Sequence, residues 1–170
     1  MPFTPFHFGP GAVLKAAIPR YFSFSVFCFA QVVADVEVLV YMARGGEKLH
    51  GYCHTYLGAL GVGLFSVVVG RPLCRYFLRW WSAQPQVPLK EYYGGSPEIG
   101  FGQAVGGAFI GSFSHVFLDS VMHSDLRPLL PFNDQNAMFG GIGPGTIHLV
   151  CFLLAIVGAL VCARMPNSKL

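Results

Sequence analysis

Four stretches of the chain, residues 21–43, 52–70, 101–123 and 146–163, are apolar over close to the ~20 residues that an α-helix needs to cross a bilayer core. Four such runs in 170 residues leave little else for the polypeptide to be. The expected architecture is an all-α, polytopic membrane helix bundle with about four transmembrane helices, forming a single membrane-embedded domain over residues 1–170. Composition agrees, with 54% of residues hydrophobic and only 11% charged. The 21 glycines and 16 phenylalanines suit helices that meet lipid on one side and approach one another closely on the other.

The first ten residues contain three prolines, so a helix begins only near Pro10 or Gly11 and is stopped by Pro19. Residues 11–18 are too few to span, which predicts a short amino-terminal helix that is re-entrant or interfacial. His7, just ahead of it, is either an ordinary terminal histidine or a ligand delivered by a folded-back terminus. No basic residue precedes Lys15, so no cleavable export signal is evident and the first span is expected to act as its own address. The formal charge of +3 is small and its basic residues are scattered, which leaves no nucleic-acid footprint. Sorted by side, Lys15, Arg20, Arg71, Arg75, Arg79, Lys90, Arg164 and Lys169 oppose Arg44, Lys48 and Arg127, and the larger set is expected to be cytoplasmic. The arginines of residues 71–81, spaced by four and alternating with Tyr76, Phe77, Trp80 and Trp81, predict a separate interfacial helix. Residues 82–100 read as a lid or a linker. Cys28, Cys53, Cys74, Cys151 and Cys162 have no CxxC spacing and read as small hydrophobes.

Polar residues inside the spans carry the functional signal. A carboxylate in the bilayer costs about 3 kcal/mol or more unless it is paired or ligated, and the first span holds two, Asp35 and Glu37. Gln31 and Asp35 share a face at a spacing of four. Glu37 points about 200° away from Asp35, which ranks Asp35 as a ligand and Glu37 as an outer-shell or catalytic group. His50 and His54, again four apart, open the second span without the glutamate of the HExxH zinc proteases. Short loops make neighbouring spans antiparallel, so Asp35 and His54 fall at similar depth, and Ala59 with Gly63 offers a close contact face.

The third span concentrates the pattern. His115, Asp119 and His123 recur every four residues and lie nearly above one another on one helical face. Gly102, Gly106, Gly107 and Gly111 form two overlapping small-xxx-small motifs on the same helix. Asp125 lies at its exit. The fourth span begins with His148 and carries Ala155, Ala159 and Ala163 on one stripe. Five of the six histidines are placed on the half of the bilayer opposite the larger basic set, and such a face of imidazoles and carboxylates wants a metal. Shared donors would lie roughly 3 to 4 Å apart.

Taken together, His7 at a helix start, Asp35 with Glu37, His50 with His54-Thr55, and His115-Val116-Phe117-Leu118-Asp119 followed by Leu129-Leu130-Pro131-Phe132 resemble a bacterial family of inner-membrane, membrane-bound metal-dependent hydrolases. The resemblance covers most of the chain. It implies several spans, a remote likeness to zinc-dependent phospholipases, a hydrolytic site with one or more divalent ions, and a bacterial inner-membrane location. Carried over by position, it implies His7, Asp35, His54, His115 and Asp119 as metal positions. The chain departs from the family in having Asp35-Val36-Glu37 where many members have Asp-x-Asp. It also has His50-Gly51-Tyr52-Cys53-His54-Thr55 in place of a longer His-Arg-Gly-x-Thr-His-Ser pattern.

Nitrogen and oxygen donors suit zinc, with manganese or iron as substitutes, and five ligands exceed one tetrahedral ion, so one or two ions are expected. A bound water with its pKa lowered to about 7 would be the nucleophile, with Glu37 or His50 as general base and His123 as acid toward the leaving group. The expected substrate is a lipid phosphodiester or ester reaching the site from the outer leaflet. The alternative is a non-catalytic structural or interaction subunit of a membrane complex that retains the cluster. A haem protein using His54 and His115 is disfavoured by the neighbouring acids, and a transporter by the small number of spans.

Overall fold

The computed structural model describes residues 5–45, 49–84 and 98–165. Among them every regular element is helical: α1 (Phe8–Ala17), α2 (Phe24–Ala43), α3 (Tyr56–Phe65), α4 (Arg71–Ser82), α5 (Phe101–Met122) and α6 (Pro144–Arg164). A π-helical turn, Ser66–Gly70, joins α3 to α4, and single 3-10 turns at Pro5–His7 and Tyr52–His54 precede α1 and α3. Four helices are long and apolar enough to cross a membrane, Phe24–Ala43, Tyr56–Ser82, Phe101–Met122 and Pro144–Arg164, which is the architecture of a multi-pass membrane protein.

The second of these differs from the sequence expectation. Residues 71–81 do not start a separate interfacial helix but extend the second span to 27 residues. Pro72 cannot donate to the turn before it and its ring would crowd that turn's carbonyl, and the wider π turn lies immediately upstream, where that crowding has to be relieved. The extended arm is fastened at its far end, where Arg71 Nε donates to the Ile99 carbonyl at 2.9 Å and Arg75 and Arg79 both pair with Glu98. Most of residues 82–100, and Lys48, Lys90 and Lys169, lie outside the described residues.

α1 begins at Phe8, three residues earlier than expected, because a proline in the first turn of a helix loses no hydrogen bond. It runs antiparallel to α2 and parallel to α6. Phe6 lies against His148 and Phe152, Gly9 against Cys151, and Ala12 and Val13 against Gly158. Its ten residues cover about 15 Å, starting at the level where α5 ends. Lys15 and Arg20 are thereby carried to the end of the bundle that holds Arg71 and Arg164, so the basic residues and a site-facing His7 do not conflict.

At the centre, α2 and α5 run parallel and close together. A Cβ on Gly107 would lie 2.3 Å from the Ser23 carbonyl oxygen, and one on Gly111 would lie 2.9 Å from that of Phe27. α3 crosses α5 antiparallel, with Gly63 against Phe109 and Ser112. Of the two glycine motifs in the sequence, Gly107-xxx-Gly111 is used at both positions, whereas Gly102 has open space where its Cβ would be. The alanine stripe of α6 is not its contact face either: Ala159 and Ala163 are exposed, and Ile147, Cys151 and Gly158 are buried against the neighbours. α6 has α1 as its main partner, and α1 sets that register.

Close approach at Gly107 leaves no room for a side chain against backbone, and overpacking of this kind costs about 1–3 kcal/mol. Gly107→Val is therefore expected to lower the thermal midpoint of the detergent-solubilised protein by several degrees, whereas Gly102→Val leaves it unchanged. Equal midpoints for the two variants would contradict the parallel α2–α5 contact.

Candidate metal centre

Three chain segments deliver four donors to one buried locus toward the ends of α2 and α5 and the start of α3. Asp35 comes from the second half of α2, His54 from the 3-10 turn before α3, and His115 and Asp119 from one face of α5. All four are buried, both histidine side chains completely. One donor atom from each residue lies within 4.8 Å of all the others, so this group could hold a metal ion.

The distances discriminate between hydrogen bonding and shared ligation. His115 Nε2 lies 3.2 Å from Asp119 Oδ2, 3.4 Å from Asp35 Oδ1 and 3.2 Å from His54 Nε2, and His54 Nε2 lies 3.6 Å from Asp119 Oδ2. A charge-assisted hydrogen bond between imidazolium and carboxylate would be shorter, about 2.7–2.9 Å. Ligands 2.0–2.1 Å from a tetrahedral ion are separated by about 3.3 Å along each edge, and the four donor pairs above lie at 3.2–3.6 Å.

The outward nitrogens fix the protons. His115 Nδ1 is 2.6 Å from Gln31 Oε1, an acceptor whose own amide nitrogen donates to Ser114 Oγ at 3.3 Å. His115 therefore donates from Nδ1, and in its neutral form it presents a lone pair at Nε2. His54 does the same: its Nδ1 faces Glu37 Oε2 at 3.3 Å, leaving Nε2 as the inward acceptor. In their neutral forms the two imidazoles thus turn lone pairs toward two carboxylates in a buried site. Without a cation this arrangement is electrostatically costly, and with one it is the donor set of a nitrogen–oxygen metal site.

His7 approaches from the amino-terminal side. Its side chain is 3% exposed, its Nε2 is 3.5 Å from Asp119 Oδ1, and its ring lies 5.2 Å from that of His115. Among the described residues, neither ring nitrogen has a hydrogen-bond partner. Burial, opposed by Asp119, lowers its pKa to about 4, so it is a neutral imidazole at neutral pH. An uncharged, buried, unpartnered imidazole beside a carboxylate fits a further ligand better than it fits an ordinary terminal histidine, whose nitrogens would find water or a protein acceptor.

Glu37 is already engaged. Its Oε2 accepts from the backbone N–H groups of Gly51 (3.1 Å) and Cys53 (3.0 Å) as well as from His54 Nδ1. This folds residues 51–54 over the end of α2 and aims His54 inward, the task of an outer-shell carboxylate. His50 and His123 stand apart from the buried four and meet each other, with ring centroids 4.6 Å apart. His50 Nδ1 lies 2.9 Å from Asp125 Oδ2. His148 stays at the start of α6 against Phe6.

Two contributors had no role assigned from sequence, Gln31 and Asp125. Gln31 gave a signal, being polar within a span and one turn from Asp35. Asp125 gave only its proximity to His123. His54 Nε2 and His115 Nε2 lie 3.2 Å apart, too close to be axial ligands on opposite faces of a haem.

Outer-shell partners of metal-bound histidine typically change affinity 10–100-fold. Gln31→Leu, which removes the acceptor for His115 Nδ1–H, is expected to weaken zinc binding by that factor in chelator competition without loss of helicity; unchanged affinity would contradict the tautomer assignment. Compared with protein-family models, curated proteins and solved structures, the chain matches none.

Proposed function

We propose that the protein is a membrane-embedded, metal-dependent hydrolase, with Asp35, His54, His115 and Asp119 holding a divalent cation and His7 reserved as a further ligand. The observation that carries this reading is the convergence of two imidazoles and two carboxylates in a buried site, with one donor atom from each within 4.8 Å of the others. Zinc suits the donor set best, with manganese or iron as substitutes. Bound there, such a cation supplies a Lewis acid and lowers the pKa of a coordinated water toward neutrality.

The chain's own residues do the remainder. Gln31 and Glu37 hold the two imidazoles in the ligating tautomer. Asp35 and Asp119 balance the positive charge, and the packed ends of α2, α3 and α5 keep bulk water out. The substrate class follows from the surroundings. Between α5 and α6 the chain exposes Leu129, Phe132, Phe139 and Ile142, an apolar rim at the same end of the bundle as the site. Such a rim belongs at the level of lipid headgroups and favours a lipid phosphodiester or ester as substrate. The opposite end carries Arg71, Arg75, Arg79 and Arg164, which points the site away from the cytoplasm in a bacterial inner membrane.

Protein purified without chelator is expected to carry about one or more equivalents of zinc, to gain thermal stability on zinc addition, and to hydrolyse phospholipid in mixed micelles. Chelation should abolish turnover and zinc restore it, while His115→Ala should lower it by more than about a hundredfold, beyond what an outer-shell change does. Protein that loads zinc but leaves phosphodiester and ester lipids untouched would be a structural subunit instead. Absence of zinc and of any zinc-dependent stabilisation would end the metal reading altogether.

A further inference from the structure

Beyond the buried four, His50, His123 and Asp125 form a second convergence of ligand-type atoms. One donor from each lies within 4.8 Å of the others. They come from two pieces of chain, the loop before the Tyr52–His54 turn and the exit of α5, where His123 is the carboxy-terminal cap and Asp125 follows two residues later. Each piece is held by contacts of its own. Next to His50, the Gly51 N–H donates to Glu37 Oε2 at 3.1 Å. His123 N–H donates to the Asp119 carbonyl at 2.8 Å. The Asn136 amide donates to the Ser120 and His123 carbonyls at 2.8 and 3.0 Å, locking the exit of α5. The triad is therefore in place without any ion to gather it.

Its character differs from that of the buried centre. The His50 side chain is 7% exposed but that of Asp125 is 35% exposed, so one side of the triad opens outward. Three nitrogen and oxygen donors with an open side are the arrangement of a site that keeps a position for an exchangeable ligand. The triad also adjoins the first centre, since the His50 ring centroid lies 4.9 Å from that of His54. A single His50–Asp125 hydrogen bond would account for two of the three residues and leave His123, turned over the His50 ring, unexplained.

We propose that His50, His123 and Asp125 bind a second divalent cation of the zinc or manganese class, held more weakly than the first and open to an anionic oxygen such as that of a phosphoryl group. This gives His50 and His123 a ligand role in place of the acid and base roles expected from sequence. The substrate-facing role rests on the buried cluster being the first metal centre, whereas the binding of the outer ion does not.

The test is equilibrium dialysis of the tag-free, detergent-solubilised, chelator-stripped protein against zinc, with bound metal counted by elemental analysis. Wild type is expected to take up two equivalents in two steps of different affinity. Asp125→Asn and His123→Ala should lose the weaker step alone, Asp119→Asn should lose the tighter step, and His148→Ala should keep both. Inorganic phosphate is expected to tighten the weaker step in wild type. One equivalent in wild type, lost in Asp119→Asn and untouched in Asp125→Asn, would overturn the second site and leave the proposed function standing. Loss of the tighter step with survival of the weaker in every preparation would do the reverse. Should a variant fail to fold, the wild-type count of one or two still decides.

Discussion

The structure depends on one electrostatic condition: two carboxylates and two imidazoles are held together in a buried site. Each of these groups inside a bilayer is costly alone, and their mutual repulsion adds to the cost. A divalent charge at their centre would turn the sum favourable, and the group could hold such an ion. Gln31 and Glu37 accept from the outward nitrogens, so that the inward nitrogens carry lone pairs when the rings are neutral.

The helix packing serves the same condition. For Asp35 on α2 to reach His115 on α5, the two axes must come closer than ordinary side chains allow, and Gly107 and Gly111 remove the obstruction at the backbone of α2. The closeness is set one to two turns away from the donors, so the site is positioned by rigid helices and not by loops. On the third side α3 is brought in by Gly63, and its leading turn is fixed by the hydrogen bonds from Gly51 and Cys53 to Glu37. Removing one of these contacts is expected to affect metal affinity and helix packing together, because both rest on the same backbone approach.

Much of this was legible in the sequence because it is written in local periodicity. The apolar runs gave the spans, the four-residue spacing of His115 and Asp119 gave a common face, and acids inside a span signalled a site. The parts that were not legible depend on partners remote in sequence. Whether Gly102 or Gly107 meets a neighbour is decided by helix register, which the repeated motif does not encode. The α6 alanines looked like a contact stripe, but α1 docks on a different face. The continuity of α3 into α4 was hidden because proline, arginine and tryptophan at residues 71–81 read as a membrane boundary, while the π turn that precedes Pro72 has no composition of its own. Asp125 meets His50 through loop geometry that no spacing rule anticipates.

The short amino-terminal helix shows why a segment too short to span belongs in such a fold. A site formed only by α2, α3 and α5 would be open to lipid on the side of Asp119, where acyl chains could neither hydrogen-bond the carboxylate nor balance its charge. α1 fills that side, inserting His7 beside Asp119 and carrying Lys15 away to the far end. It stays there because Gly9 and Gly158 let it lie flush against α6, whose remaining surface is turned outward. α6 therefore holds α1, α1 presents His7, and His7 closes the centre. The fourth span, which contributes no donor to the buried site, is tied to it through this chain of contacts. A bundle assembled without α6 would lose the support behind His7 before it lost any of the four buried donors.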